Sequence, residues 1–126
     1  MRKVIQTDQA PAAVGTYSQG IALEHMVFTS GQIPLDPSTG KLVSPDFEKQ
    51  VEQVMQNLQG VLTAAGSSLN QVIKFTVFLT DLSNFAILNE VFSRYFNEDP
   101  PARSAVQVSA LPLGVDVEIE AVGLIS

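Results

Sequence analysis

The stretch FEKQVEQVMQNLQGVLTAAGSSLNQVIKFTVFL, residues 47–79, predicts a helix followed by a strand and decides the fold class. In its first part, apolar residues recur at steps of three and four, the period of a helix with one apolar face. Ser44 and Pro45 supply an N-cap and a first-turn proline, and Gly66 supplies a stop. In the second part, every other residue from Ile73 to Leu79 is apolar, so we expect a strand with one face on a core.

Length and composition fit one globular domain over residues 1–126. Hydrophobic residues make up 45% of the chain and charged residues 16%, which is enough to build a core. The net charge of −6 argues against non-specific binding to nucleic acid or to anionic membranes. The absence of cysteine excludes disulfides, thiol nucleophiles and thiolate metal sites. Since the sequence has neither a secretory signal nor a long apolar segment, we expect a soluble, cytoplasmic protein.

The rest of the chain adds five strands and a second helix. Apolar runs predict a first strand at residues 3–6, a hairpin at 21–23 and 26–30, and two final strands at 103–108 and 115–125. The second helix is predicted from residue 83 or 84 to residue 96. The order is therefore β-β-β-α-β-α-β-β, an α+β fold in which both helices pack on one face of a six-stranded mixed sheet.

The sheet face away from the helices is predicted to be partly polar and partly apolar, which indicates a homo-oligomer rather than a monomer. If the last two strands pair as a hairpin, Arg103 and Glu118 lie on the same face of the sheet. The residues assigned to the uncovered face are Thr29, Val72, Thr76, Phe78, Gln107, Val122 and Leu124.

Two polar residues stand out against their surroundings. Asn89 projects from the apolar side of the second helix, between Phe85 and Phe92, so its amide either holds backbone or faces something beyond this subunit. Arg103 opens a strand in PPARSAVQV (100–108), in a chain with only 7 Lys+Arg against 13 Asp+Glu. A solvated surface arginine is the simpler interpretation of this residue, and a carboxylate-binding cation is the functional one.

Few classes of site remain open. The single histidine, His25, lies at a predicted hairpin tip, which disfavours a catalytic triad or a zinc site. No nucleotide-binding glycine pattern is present, so no cofactor and no metal are expected. The remaining polar groups cluster at strand ends, and their spacing alone leaves open whether they form a site or solvated strand ends. They are Tyr17, Ser30, Gly31, Arg103, Glu118 and Glu120.

Five blocks of sequence closely resemble the reactive intermediate deaminase A (RidA) family, also called the YjgF/YER057c/UK114 family. The likeness covers nearly the whole chain in the same order, and the PARS and EIEA segments together are specific. The blocks are APAAVGTYSQG (10–20), FTSGQIPLDPSTG (28–40), FTVFLTDLSNFAILNEVFSRYF (75–96), PPARSAVQVSALP (100–112) and VEIEAVG (117–123).

This resemblance implies a chorismate-mutase-like fold, assembled as a homotrimer with clefts between subunits. It also implies hydrolysis of 2-imino acids and their enamine tautomers, such as 2-aminoacrylate and 2-aminocrotonate, to 2-keto acids and ammonia without a cofactor. Arg103 matches the arginine that holds the substrate carboxylate, and Glu118 matches the glutamate that positions or activates water.

The resemblance also assigns pocket residues. Tyr17, Ser30 and Gly31 match pocket positions, and Asn89 matches a pocket asparagine. Ala105 stands where many relatives have a cysteine, so thiol chemistry is excluded at that position and the polarity of the pocket differs.

Two other functions stay open. A regulatory protein would bind a 2-keto acid or similar carboxylate through Arg103 without turning it over. An RNA-directed activity, as a ribonuclease or a translation inhibitor, is attributed to some relatives. The acidity of the chain and the lack of a basic stripe disfavour this second alternative.

Overall fold

A computed structural model describes the whole of residues 1–126, with six strands in a single mixed sheet. The strands are β1 (Arg2–Ile5), β2 (Gly20–Leu23), β3 (Met26–Thr29), β4 (Val72–Leu79), β5 (Ala102–Gln107) and β6 (Val117–Leu124). Their order across the sheet is β1-β2-β3-β6-β4-β5. Only β4 and β5 pair in parallel, which requires a crossover connection between them.

Two helices, α1 (Phe47–Ala64) and α2 (Phe85–Tyr95), pack on one face of this sheet. Helix α2 makes the crossover from β4 to β5. The α+β class and the order of elements predicted from the sequence are confirmed. No helix combines the length and the apolar character that crossing a membrane requires.

The ends of α1 show how its sequence sets its bounds. The N-cap is Asp46 rather than the predicted Ser44, because the Asp46 carboxylate accepts the backbone N–H of Lys49 at 3.0 Å. At the other end, Gly66 adopts a φ of +87°, a left-handed conformation that favours glycine. The N–H of Gly66 then reaches the carbonyl of Thr63 at 3.0 Å, and the N–H of Ser67 reaches that of Leu62 at 2.8 Å. This pair of bonds is a Schellman motif, so the predicted stop is confirmed.

The core lies between the helices and the sheet. It contains seventeen buried apolar residues, drawn from both helices and from β3, β4 and β6. Phe75 of β4 is fully buried and packs edge-on against Phe92 of α2, with ring centroids 5.3 Å apart. Ile73 was expected on this buried face but is 40% exposed, because a bulge between Val72 and Lys74 shifts the alternation of β4.

Strands β5 and β6 do not pair with each other, so the predicted hairpin is wrong. Strand β4 lies between them, with Arg103 opposite Phe75 on one side and Glu118 opposite Phe78 on the other. Side chains at paired positions point to the same face, so Arg103 shares the helix face with Phe75, whereas Glu118 lies on the opposite face. The expectation that Arg103 and Glu118 share a face is therefore also wrong.

The sheet face opposite the helices is uncovered in a single chain. Apolar side chains on it, including Phe28, Val106 and Leu124, are exposed beside the polar residues of β4 and β6. Three residues expected on this face lie elsewhere: Val72 is buried, Thr29 accepts the N–H of Ala121, and Gln107 accepts the N–H of Leu82 on the helix side.

Candidate active site

One cleft, of roughly 500 Å³, brings together four of the residues singled out in the sequence. Ser30 and Gly31 follow the end of β3, Glu118 lies near the start of β6, and Tyr17 comes from the loop before β2. Apolar side chains, including Leu113, form much of the remaining wall. We call this the Glu118 cleft.

Gly31 allows an unusually close approach to Glu118. A β-carbon on residue 31 would overlap Oε2 of Glu118 and would lie 2.8 Å from its Cδ. The neighbours of Gly31 are tied down, since the N–H of Ser30 donates to the Gln19 carbonyl at 2.9 Å and that of Gln32 to the Ile119 carbonyl at 2.8 Å. Gly31 itself makes no backbone hydrogen bond, so its N–H is free beside the carboxylate.

Glu118 is half-buried, and its carboxylate accepts no hydrogen bond from the protein. Burial raises the pKa of Glu118 above the ordinary glutamate value, and the negative charge of Glu120 raises it further. The Glu118 carboxylate therefore holds a proton more strongly than a solvated glutamate does, which suits a group that transfers protons.

Ser30 and Tyr17 shape the cleft rather than add charge to it. The hydroxyl of Ser30 donates to the carbonyl of Ser18 at 2.6 Å and so fixes the end of the loop that carries Tyr17. Tyr17 is about half exposed, and its hydroxyl accepts the N–H of Val14 at 3.4 Å. Its ring therefore lies at the mouth of the cleft.

Arg103 and Asn89 lie in a different cleft, of roughly 390 Å³, on the helix side of the sheet edge. Nη2 of Arg103 donates to Oδ1 of Asn89 at 2.7 Å. The guanidinium carbon also lies 5.2 Å from the ring centroid of Phe85 and 5.1 Å from that of Phe92. Asn89 thus bonds to a side chain, and not to the backbone. We call this the Arg103 cleft.

No carboxylate forms an ion pair with Arg103. All the salt bridges of the chain are made by Arg94. Partial burial lowers the pKa of Arg103 from its usual value, but the group stays protonated at any physiological pH. Its positive charge is therefore available to an anionic ligand.

Ala105 lines neither cleft. It follows Arg103 by two residues on β5 and packs, half-buried, against the core beside Val77 of β4. No group of three or more His, Asp or Glu side chains is arranged to hold a metal ion.

The two clefts cannot form one site within a single chain. Two strand spacings separate β5 from β6, and Arg103 and Glu118 are also offset by three residues along β4, so their Cα atoms lie roughly 14 Å apart. Their side chains point to opposite faces of the sheet. The structure therefore brings Tyr17, Ser30 and Gly31 to Glu118, but not to Arg103.

The sequence pattern places Phe85 and Phe92 on the apolar side of the second helix, but it does not predict their contact with Arg103. Phe85 is in fact 38% exposed. The usable signal was the spacing of Phe85, Asn89 and Phe92, which are four and three residues apart and so lie on one face of a helix.

Comparisons with known proteins agree with this architecture. A family model described as Endoribonuclease L-PSP matches residues 7–125. The 2-iminobutanoate/2-iminopropanoate deaminase of Mus musculus is 46% identical over 98% of this chain and 92% of its own length. The crystal structure of RidA from the Antarctic bacterium Psychrobacter sp. superposes with a TM-score of 0.94 at 54% identity, covering 98% of this chain and 99% of that one.

A further solved structure contains a ligand. Escherichia coli TdcF with bound serine superposes with a TM-score of 0.93 at 46% identity, covering 98% of this chain and 99% of that one. Likeness of this extent in both sequence and structure shows that the chain belongs to the Endoribonuclease L-PSP family, the family of the reactive intermediate deaminases.

Proposed function

We propose that this protein is a cofactor-independent deaminase that hydrolyses small 2-imino acids and their enamine tautomers to 2-keto acids and ammonia. One observation carries the proposal: an unpaired cation, Arg103, and an unpaired carboxyl group, Glu118, line open clefts on opposite faces of the sheet. Each cleft is half of the site that this reaction needs. The names of relatives similar over nearly the whole chain support the same reaction class.

The complete site is formed where two copies of the chain meet, so that Arg103 of one subunit faces Glu118 of its neighbour. The uncovered sheet face supports this part of the proposal, since exposed Phe28, Val106 and Leu124 give it the apolar surface that an oligomer buries. The assembly we propose is a homotrimer, and the number three comes from the family resemblance.

Arg103 binds the substrate carboxylate. A planar guanidinium offers parallel N–H donors to a carboxylate, and hydrogen bonds to charged groups contribute roughly 1.5–3 kcal/mol each. The serine bound to TdcF is a small amino acid with such a carboxylate. Asn89 holds Arg103 in this role.

Glu118 handles water and protons at the imine carbon. As water attacks C2, an oxygen–carbon bond forms, one water proton passes to the Glu118 carboxylate, and the π electrons of the C=N bond move to the nitrogen. Glu118 gives that proton to the nitrogen, which leaves a neutral carbinolamine. Glu118 then takes the hydroxyl proton and delivers it to the nitrogen as the C=O bond forms, so the carbon–nitrogen bond breaks and ammonia leaves the keto acid. Transfer by one placed carboxyl group contributes roughly 10²–10⁴-fold to the rate.

The remaining cleft residues orient the reacting atoms. The free N–H of Gly31 lies beside Glu118 and donates to the imine nitrogen lone pair or to the developing hydroxyl. Ser30 fixes the loop, and the ring of Tyr17 closes the mouth of the cleft against bulk water.

A coupled assay tests this function. A dehydratase generates 2-aminoacrylate or 2-aminocrotonate in place, and the purified protein is expected to accelerate release of the keto acid and ammonia. Arg103→Ala should lower kcat/KM by roughly 10²-fold or more, because the carboxylate loses its charged partner. Arg94→Ala is the matched control, since it removes an exposed arginine that is already paired with glutamates.

Two results would point to other functions. Binding of a 2-keto acid without any acceleration of ammonia release indicates a regulatory binder. RNA cleavage, which the description of the family model names, would overturn the deaminase assignment if it survived physiological salt and disappeared in Arg103→Ala. The net charge of −6 disfavours this outcome.

A further inference from the structure

Two arginines near helix α2 are held in opposite ways. Arg94 on α2 contacts the carboxylates of Glu48, Glu52 and Glu90 at 2.9–3.2 Å, so its charge is more than neutralised. Arg103 on β5 has no carboxylate partner, although acidic residues outnumber basic ones by 13 to 7. Five other cations of the chain also form no salt bridge, so the feature that needs a physical explanation is the half-buried place of Arg103 in a cleft without any carboxylate.

The partners of Arg103 are neutral throughout. Phe85, Asn89 and Phe92 present two ring faces and one amide oxygen from a single face of α2, and we call these three residues the neutral cradle. Aromatic rings attract a cation through their quadrupole, and an amide oxygen accepts a directional hydrogen bond; neither carries a net charge. The cradle therefore orients the guanidinium without cancelling its charge.

The orientation leaves specific donors for a ligand. The hydrogen bond to Asn89 uses one N–H of Nη2, which leaves the second Nη2 hydrogen, both hydrogens of Nη1 and that of Nε without a protein acceptor. All of these lie in the guanidinium plane. A carboxylate approaching in that plane can take two of them at once.

We propose that the neutral cradle aims Arg103 at an anionic ligand while keeping its full positive charge, and that Asn89 is a positioning residue that acts through Arg103 rather than on the substrate. This inference rests on the proposed function of Arg103 as the carboxylate clamp. It makes the neutrality of residue 89, and not only its shape, a requirement for binding.

The substitution that separates charge from shape is Asn89→Asp. Aspartate has nearly the same shape as asparagine and keeps an acceptor within reach of Nη2, but it pairs with Arg103 as the glutamates pair with Arg94. The ligand carboxylate then meets a neutralised arginine and a nearby like charge. Asn89→Ala instead removes the hydrogen bond and leaves the charge of Arg103 intact.

The experiment is calorimetric titration of the assembled protein with 2-oxobutanoate, a 2-keto acid product that does not react further. Asn89→Asp should weaken binding by roughly tenfold or more, and Asn89→Ala should weaken it clearly less. Gln56→Glu is the charge-matched control, because it makes the same amide-to-carboxylate change at an exposed position on α1, and its affinity should equal that of the wild type.

Each other outcome overturns the inference. If Asn89→Asp binds like the wild type, or if Asn89→Asp and Asn89→Ala weaken binding equally, binding does not depend on the neutrality of residue 89. If the wild type binds the keto acid but releases no ammonia from the imine, the proposed function fails, and the ranking of the two Asn89 variants still decides the role of the cradle. If the wild type binds no keto acid, both proposals fall.

Discussion

At the scale of single residues, the contact between Gly31 and Glu118 gives the most direct test of the cleft. A methyl group in Gly31→Ala would overlap the Glu118 carboxylate, and this flexible side chain can move away at little cost to the fold. We therefore expect kcat for imine hydrolysis to fall roughly tenfold or more, because the carboxylate leaves its working position, with little change in Tm.

The matched control for this prediction is Gly15→Ala. Its β-carbon would meet nothing closer than 3.5 Å, which is ordinary contact with the Tyr17 ring. Steady-state kinetics and thermal unfolding of both variants make the comparison. Unchanged kcat in Gly31→Ala would remove Glu118 from the chemistry.

The pKa of Glu118 leads to a second prediction at this scale. Because burial raises that pKa, the acid limb of the kcat/KM profile should lie above the ordinary glutamate value. Glu120 raises the pKa of Glu118 further, so Glu120→Gln removes a negative charge, makes the Glu118 carboxylate easier to form and should move the acid limb to lower pH.

Profiles of the wild type and Glu120→Gln with the same substrate test this. Ionisation of the substrate affects both profiles equally, so a difference between their acid limbs comes from the protein. If the acid limb of Glu120→Gln stays in place or moves to higher pH, Glu118 is not the group that titrates.

At the scale of elements, the interface between α1 and α2 has its own pH dependence. The hydroxyl of Tyr95 donates to the Glu52 carboxylate at 2.7 Å, and burial, followed by this neighbouring carboxylate, raises the pKa of Tyr95 to about 12. An unfolded tyrosine ionises near pH 10. Since the folded state favours the neutral phenol, this stabilisation is complete below about pH 10 and is lost as the pH rises through about 12.

Tyr95→Phe should therefore lower the free energy of unfolding by about 1 kcal/mol at pH 7, through loss of the hydrogen bond. It should also make the decline in stability above pH 10 shallower than in the wild type. Urea unfolding of both proteins at neutral and alkaline pH measures this. If the free energy of unfolding fell equally steeply above pH 10 in both proteins, the raised pKa of Tyr95 would be contradicted.

Helix α1 and strand β5 show what the sequence could and could not predict about the elements. The periodicity of 47–65 and the glycine after it predicted α1 within one or two residues, because helix signals are local. The pairing of β5 was not predictable from its own alternation, since alternation tells which residues share a face but not which strand lies alongside. Placing Arg103 beside Glu118 followed from the wrong partner for β5.

At the scale of the whole molecule, the sequence predicted an oligomer from the mixed character of one sheet face, and the proposed function gives this expectation a chemical reason. A single chain carries Arg103 and Glu118 on opposite faces, so the site that we propose needs a second chain. The residues of the proposed site could be named from sequence resemblance, but their division between two faces depends on strand order, which no single segment encodes.

If each active site is shared between two subunits, as we propose, two inactive variants should restore activity when their subunits assemble together. Arg103→Ala and Glu118→Gln are each expected to be nearly inactive. After both are unfolded and refolded together in equal amounts, a site that takes Arg103 from one chain and Glu118 from its neighbour is intact in about one case in four, so about a quarter of wild-type activity should return. The variants refolded separately and mixed just before the assay are the control and should stay inactive. No recovery after joint refolding would mean that each chain works alone.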